Sequence, residues 1–171
     1  ATMPEDQFEQ EFEVSFQAAV SGAYFGKQIQ KAEKENRITD VEYDPDIDVE
    51  TWWDLGIGDS TAIWFAQRTG NEIHLIDYLE TSGESLAYYI KELSEKAYNY
   101  GRHIAPHDIT TRELGTGKSR LEVARELGID FEVCPRLEVD HGIEAVRNNL
   151  DKCYFDKNKC KYGIDCLRQY R

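Results

Sequence analysis

Three consecutive stretches in the middle of the chain have the apolar patterning of β-strands. Val49 to Gly56 carries Trp52 and Trp53 and ends at Asp54-Leu55-Gly56, Thr61 to Gln67 is β-branched and aromatic, and Asn71 to Leu79 alternates through Ile73, Leu75 and Ile76. Short runs of this composition, bounded by turn residues, read as strands. Arg68-Thr69-Gly70-Asn71 is a turn signal between the last two, so the three predict an antiparallel meander. Helical periodicity follows over Glu84 to Tyr100, where Leu86, Tyr89, Ile90, Leu93 and Ala97 share one face and Gly101 is the expected breaker. Arg102 to Pro106 then reads as a short strand running into His107-Asp108, Ser119 to Leu127 as a helix closed by Gly128, Ile129 to Cys134 as a strand, and Asp140 to Leu150 as a helix. Gly163 to Arg171 starts a further helix, and Gly22 to Asn36 reads as one ahead of the meander. The polar, acidic stretch Thr39 to Asp48, with Pro45, reads as a linker or loop.

A meander followed by strand–helix–strand units implies an α/β fold, with a mixed β-sheet flanked by helices. No internal repeat is visible. The 171 residues, 40% hydrophobic and 31% charged, suffice for one domain with a buried core. No apolar run is long enough to span a bilayer, and Ala1 to Asp6 lacks the basic and apolar regions of a signal peptide. A membrane is therefore not an expected partner.

The net charge of −13 taken alone argues against a nucleic-acid partner, because phosphates are bound by Lys and Arg. The layout changes that picture. Acid is dense from Glu5 to Glu13 and from Asp40 to Asp54, whereas Arg112 to Arg125 and Lys152 to Arg171 are richer in Lys and Arg. The four cysteines, Cys134, Cys153, Cys160 and Cys166, form no C-x-x-C pair. They read as reduced, mostly buried thiols rather than as a zinc site.

Candidate chemistry lies with two carboxylates. Asp54 ends an apolar, aromatic strand, and Asp108 follows the next strand after the long helix. In such a sheet these strands can be neighbours, which would bring the two carboxylates side by side. Paired carboxylates repel unless a cation lies between them, and all-oxygen ligands suit Mg²⁺ or Mn²⁺. Two such ions about 4 Å apart can activate a water and stabilise the leaving oxygen in phosphodiester cleavage. The plain alternatives are a strand-end turn residue for Asp54 and an N-cap or Asx-turn for Asp108. Asp59 reads as a hairpin-turn residue before a metal contact, Asp77 and Glu80 as solvated strand-edge acids before residues lining the site, and His107 as exposed or supporting Asp108. Gly115-Thr116-Gly117-Lys118-Ser119 looks like the end of a phosphate-binding loop, but Arg112 stands where that motif needs its first glycine. It reads as a helix start or a surface loop.

Several of these stretches together resemble the nuclease domain of large terminase subunits of tailed bacteriophages. Trp53 to Trp64 resembles that domain's first strand and hairpin, Pro106-His107-Asp108 its second acidic motif, Gly142 to Arg147 the helix that follows, Gly163 to Arg171 the helix before its final motif, and Phe16 to Phe25 the segment leaving the motor's ATPase domain. The resemblance implies an RNase H-like fold. It implies metal-dependent cleavage of concatemeric double-stranded viral DNA during genome packaging, with a two-ion Mg²⁺ or Mn²⁺ site in which Asp54 is the first-strand carboxylate and Asp108 the second. It divides the chain into residues 1–45, a segment and linker from the preceding ATPase domain, and residues 46–171, the nuclease domain. It implies an ATPase domain in the same full-length chain, a portal and a small terminase subunit as partners, and the host cytoplasm as the place of action. The family's third acid lies in an Asp-Ala motif on a later helix. No such motif occurs here and Asp165 does not match it, so a C-terminally truncated domain with weak or no cleavage is expected. Two other readings are a junction resolvase acting alone and an acidic docking module without catalysis.

Overall fold

The computed structural model describes residues 22–56 and 59–171. Most of the Phe16–Phe25 stretch lies outside them. Helix α1 (Gly26–Lys34) precedes a two-residue strand β1 (Ile38–Thr39); then come β2 (Val49–Asp54), β3 (Ser60–Thr69), β4 (Glu72–Ser82) and α2 (Leu86–Glu95). Strand β5 (Tyr100–Ala105) runs into a 3₁₀ turn (His107–Thr110), followed by α3 (Arg120–Glu126), β6 (Phe131–Val133), α4 (Val139–Leu150), β7 (Cys153–Asp156) and α5 (Lys161–Gln169). The strands form one sheet in the order β1-β7-β4-β3-β2-β5-β6. Among the described strands only β3 is reversed: it pairs antiparallel with β2 and β4, and the other strand pairings are parallel. The expected mixed α/β sheet is thus present, meander included.

Each face of the sheet has its own core. On one, Val49 and Trp53 of β2 and Ile63 and Phe65 of β3 pack against Tyr89 and Leu93 of α2 and Ala124 of α3. On the other, Ile73, Leu75 and Phe155 pack against Ile29 and Ala32 of α1, Leu150 of α4 and Ile164 of α5. Alternation along the strands produces this division, since successive side chains point to opposite faces. Helix α5 lies so close to the sheet that a Cβ at Gly163 would come within 2.6 Å of Trp64 and 2.8 Å of Tyr78, so only glycine permits this approach. Among the described residues no helix is long and apolar enough to cross a membrane.

Three stretches differ from the sequence expectation. Helix α2 stops at Glu95, five residues short of Tyr100, and Gly101 lies inside β5. Lys96 turns extended because its ammonium and the Tyr98 hydroxyl both reach the Asp77 carboxylate, at 2.7 and 3.0 Å. The rings of Tyr98 and Tyr100 then pack on Phe65. Strand β7 and its partner β1 are additional strands. The 39–48 stretch is mostly loop but is packed, not free: Val41 is buried, its N–H donates to Asp156 Oδ1, and buried Gln67 donates to the Asp44 and Ile47 carbonyls. Of the cysteines, Cys153 and Cys160 are buried while Cys134 and Cys166 are exposed; burial pushes the Cys153 and Cys160 thiols up to about 12.

Candidate metal and active site

The β2–β5 pair brings Asp54 and Asp108 to the same edge of the sheet. The two strands run parallel with Trp52 opposite Ile104, so both end at that edge. Asp54 is the last residue of β2, and Asp108 lies just beyond β5 in the 3₁₀ turn. The packing beneath them fixes the separation of the strands. Trp53 is buried, with edge-on contacts to Phe131 at 5.1 Å and Tyr89 at 6.1 Å. Its indole N–H donates to Thr51 Oγ1 at 2.8 Å, and Thr51 Oγ1 lies 2.6 Å from His103 Nδ1 across the strand pair. Burial lowers the His103 pKa, favouring the neutral ring. Thr51 Oγ1 accepts from the indole and is hydrogen-bonded to Nδ1. Past Asp54 the chain turns tightly, and a Cβ at Gly56 would come within 2.5 Å of the Ser60 carbonyl oxygen.

Both aspartates are exposed. Even so, the Asp54 carboxyl is raised above its ordinary value, first by desolvation against the surrounding protein and then by the negative charges of Asp108 and Glu80. Among the described residues no Lys or Arg offsets this repulsion; every cause acting on Asp54 raises it. The Asp54 carboxylate is therefore left without a compensating positive charge.

Asp77 and Glu80, expected as solvated strand-edge acids or as residues lining the site, have different fates. A bulge in β4 opposite Phe65 and Ala66 inserts one extra residue. It puts Asp77 opposite Phe65 on the α2 side, buried and paired with Lys96. It also puts Tyr78 and Glu80 on the other face. There Asp54 pairs with Ala62, and Ala62 pairs with Glu80. The two acids therefore flank a small alanine on one face of the sheet. Ser60 Oγ donates to Glu80 at 2.7 Å, and the Tyr78 hydroxyl makes a short hydrogen bond to the same carboxylate, while the Cys166 thiol of α5 lies 3.8 Å away. Bulges commonly re-aim side chains beside active sites. The sequence signal was the break of alternation at Leu75-Ile76-Asp77.

The remaining candidates lie apart from this group or play other parts. Asp59 and His107 are exposed. Gly115 to Ser119 forms the turn and the returning side of a surface hairpin, not a loop joining a strand directly to a helix. Ser119 caps α3 through a reciprocal bond with Glu122, and Arg112 pairs with Ser119 across the hairpin. Among the described residues no set of three or more His, Cys, Asp or Glu side chains converges as a complete metal site. The acids at the β2–β5 edge amount to two carboxylates with Glu80 nearby.

No protein-family model and no curated protein matches the sequence. Solved structures do match the fold. The nuclease domain of the P22 large terminase superposes with a TM-score of 0.60 at 17% identity, over 80% of this chain and 76% of that one. The large terminase of the thermophilic bacteriophage D6E, in complex with ATP-gamma-S, gives 0.61 at 14% identity over 79% of this chain. This chain spans only 35% of that protein. The large terminase nuclease of the thermophilic phage G20c, with bound zinc, gives 0.56 at 17% identity over 78% of this chain and 82% of that one. At these identities the likeness is one of fold, and the chain has the RNase H-like α/β architecture of the large terminase nuclease domains.

Proposed function

We propose that this chain is the nuclease domain of a large terminase subunit, a divalent-metal-dependent endonuclease that cleaves concatemeric double-stranded viral DNA during packaging. The reading is carried by one observation: two carboxylates without a neutralising cation, Asp54 and Asp108, at one edge of a sheet with the terminase nuclease topology. The donor set suits a hard cation. Carboxylate oxygens favour Mg²⁺ or Mn²⁺, and repulsion within the site is relieved when a cation is held. Asp54 and Asp108 would hold it, and when bound it supplies positive charge beside the reacting phosphate and helps activate water for attack on phosphorus. The chain's own contribution is positional. The Trp53–Thr51–His103 chain fixes the strands that carry the two acids, so their spacing is set before DNA arrives. The family's third acid has no match in the 171 residues, and cleavage by them alone is expected to be weak. The ATPase domain of the same polypeptide, a portal and a small terminase subunit belong to this reading as partners.

The deciding assay is plasmid cleavage with Mn²⁺ by the full natural polypeptide that carries these residues. Asp54→Asn is expected to abolish cutting, and undiminished cutting would favour the docking-module reading instead. Thermal melting of the 171-residue chain gives a test independent of turnover. In chelator, Asp54→Asn is expected to melt slightly higher than the natural sequence, because a repelled charge is gone. Mn²⁺ is expected to raise the melting temperature of the natural sequence but not that of the variant, since a ligand stabilises only the fold that binds it.

A further inference from the structure

The acids on one face of the sheet are neutralised at one end and not at the other. Glu50, Trp52 and Asp54 of β2 alternate onto the same face. Glu50, at the start of the strand, meets two guanidiniums, Arg68 at 3.1 Å and Arg102 at 3.3 Å. At the other end, among the described residues, no Lys or Arg pairs with Asp54 or with Glu80 two strands away. Glu80 is met instead by neutral groups, the hydroxyls of Ser60 and Tyr78 and the thiol of Cys166.

Those neutral groups set the direction of the carboxylate. Glu80 is half-buried, and each of its oxygens accepts from a different hydroxyl, Oε1 from Ser60 at 2.7 Å and Oε2 from Tyr78. Tyr78 is itself fixed. Its ring packs on Trp64 with centroids 4.5 Å apart, and α5 presses on both rings at Gly163. Desolvation, and then the bond to Glu80, raise the pKa of the Tyr78 hydroxyl, so it remains a donor. None of this requires a charge at position 80, because a hydroxyl can accept as well as donate and a neutral amide would satisfy both partners. The charge faces the other way. Ala62 lies between Glu80 and Asp54 in the sheet register, and it is partly exposed, so water reaches the gap that its small side chain leaves. Asp54, Asp108 and Glu80 do not converge as three ligands of one ion. A cation held by one or two carboxylates keeps several of its waters, and a carboxylate set back across an alanine is placed to accept from them.

We propose that Glu80 is a positioning residue of the Asp54–Asp108 metal site: aimed by Ser60 and Tyr78, it orients the hydration shell of the bound cation from the Ala62 side without ligating the ion itself. The proposal rests on the nuclease reading for the presence of the cation. Groups in this outer position change metal affinity about 10–100-fold when they are removed.

The test is binding of Mn²⁺ to the 171-residue chain, with free Mn²⁺ followed by its electron paramagnetic resonance signal. Glu80→Gln is expected to weaken binding about tenfold, and to melt in chelator no lower than the natural sequence, because its hydroxyl partners stay satisfied and a repelled charge is gone. Tyr78→Phe leaves every charge in place and keeps the ring on Trp64, and it is expected to weaken Mn²⁺ binding by a smaller factor. A Glu80 that acted by charge alone, or only as a structural acceptor, would not pass the loss of that hydroxyl on to the metal. Mn²⁺ binding unchanged in either variant therefore overturns the proposal. Should Glu80→Gln melt low in chelator, Tyr78→Phe decides in its place. Asp54→Asn is titrated in parallel. If it abolishes binding while the Glu80 and Tyr78 variants bind as the natural chain does, the positioning role falls alone. If the natural chain takes up no Mn²⁺, or Asp54→Asn binds as well as it does, the metal site of the nuclease reading falls and the role of Glu80 falls with it.

Discussion

The β2–β5 pair and the Arg112–Ser119 hairpin are joined through the 3₁₀ turn that follows β5, and they are held by opposite means. The strand pair is fixed from inside. Val49 and Thr51 have no exposed surface, Trp53 is 6% exposed, and the polar chain Trp53–Thr51–His103 is satisfied within the core. The hairpin is fixed from outside, by ion pairs and backbone bonds in water, and its one large apolar residue touches nothing. The spacing of the strand pair is thus entrusted to burial and register, while the hairpin is entrusted to contacts that water and salt can loosen.

Three perturbations test that contrast, in order of falling effect. Trp53→Ala removes the ring that packs on Phe131 and Tyr89, and it is expected to cost about 3–5 kcal/mol. The check is the midpoint of urea unfolding, and a loss under about 1 kcal/mol would show that the strand pair is not held as described. Next comes pH. The half-buried His103 has a folded-state pKa below the ordinary 6.5, so the unfolded chain takes up a proton that the folded ring refuses. This penalty is absent above the unfolded value and grows as pH falls below about 6.5 until the folded value is reached. The natural protein is expected to lose stability between neutral and mildly acid pH, and His103→Gln is expected to flatten that part of the profile. An equal slope in both proteins would remove His103 from the account. The smallest global effect is expected from the hairpin. Ser119→Ala breaks the reciprocal cap of α3 at a cost of about 1 kcal/mol, and molar salt weakens the Arg112–Glu122 pair. Hydrogen exchange is expected to quicken over 112–126 in both cases, with the amides of β2 and β5 unchanged. Joint acceleration of both regions would mean that they are one cooperative unit.

What could be read in the sequence follows the same division. Strands β2, β3 and β4 were legible because their alternation is long and their turn residues are local. Helix α3 was legible because Ser119 and Gly128 mark its ends. The end of α2 was not, because Ala97 and the apolar rings of Tyr98 and Tyr100 continue a helical pattern. Only the burial of Asp77, with Lys96 and Tyr98 drawn to it, makes the chain turn extended there. Strand β7 has four residues between Lys152 and Lys157, and it is a strand only because Ile73 to Leu75 lies on one side of it and β1 on the other. Asp54 and Asp108 could be singled out as strand-end acids. Glu80 could be read either as lining the site or as a solvated strand-edge acid, and the choice turns on one extra residue in β4. Without that bulge Glu80 would point toward α2.

The ends of the sheet carry a separate consequence. Seven strands lie side by side, yet the outermost two, β1 and β6, are two and three residues long, and Glu132 on β6 is exposed and tied to Arg102. A sheet edge is a template on which another chain can add strand after strand, and short, charged edges deny it that template. The outer strands of this sheet therefore present little backbone on which a strand of a neighbouring molecule could pair.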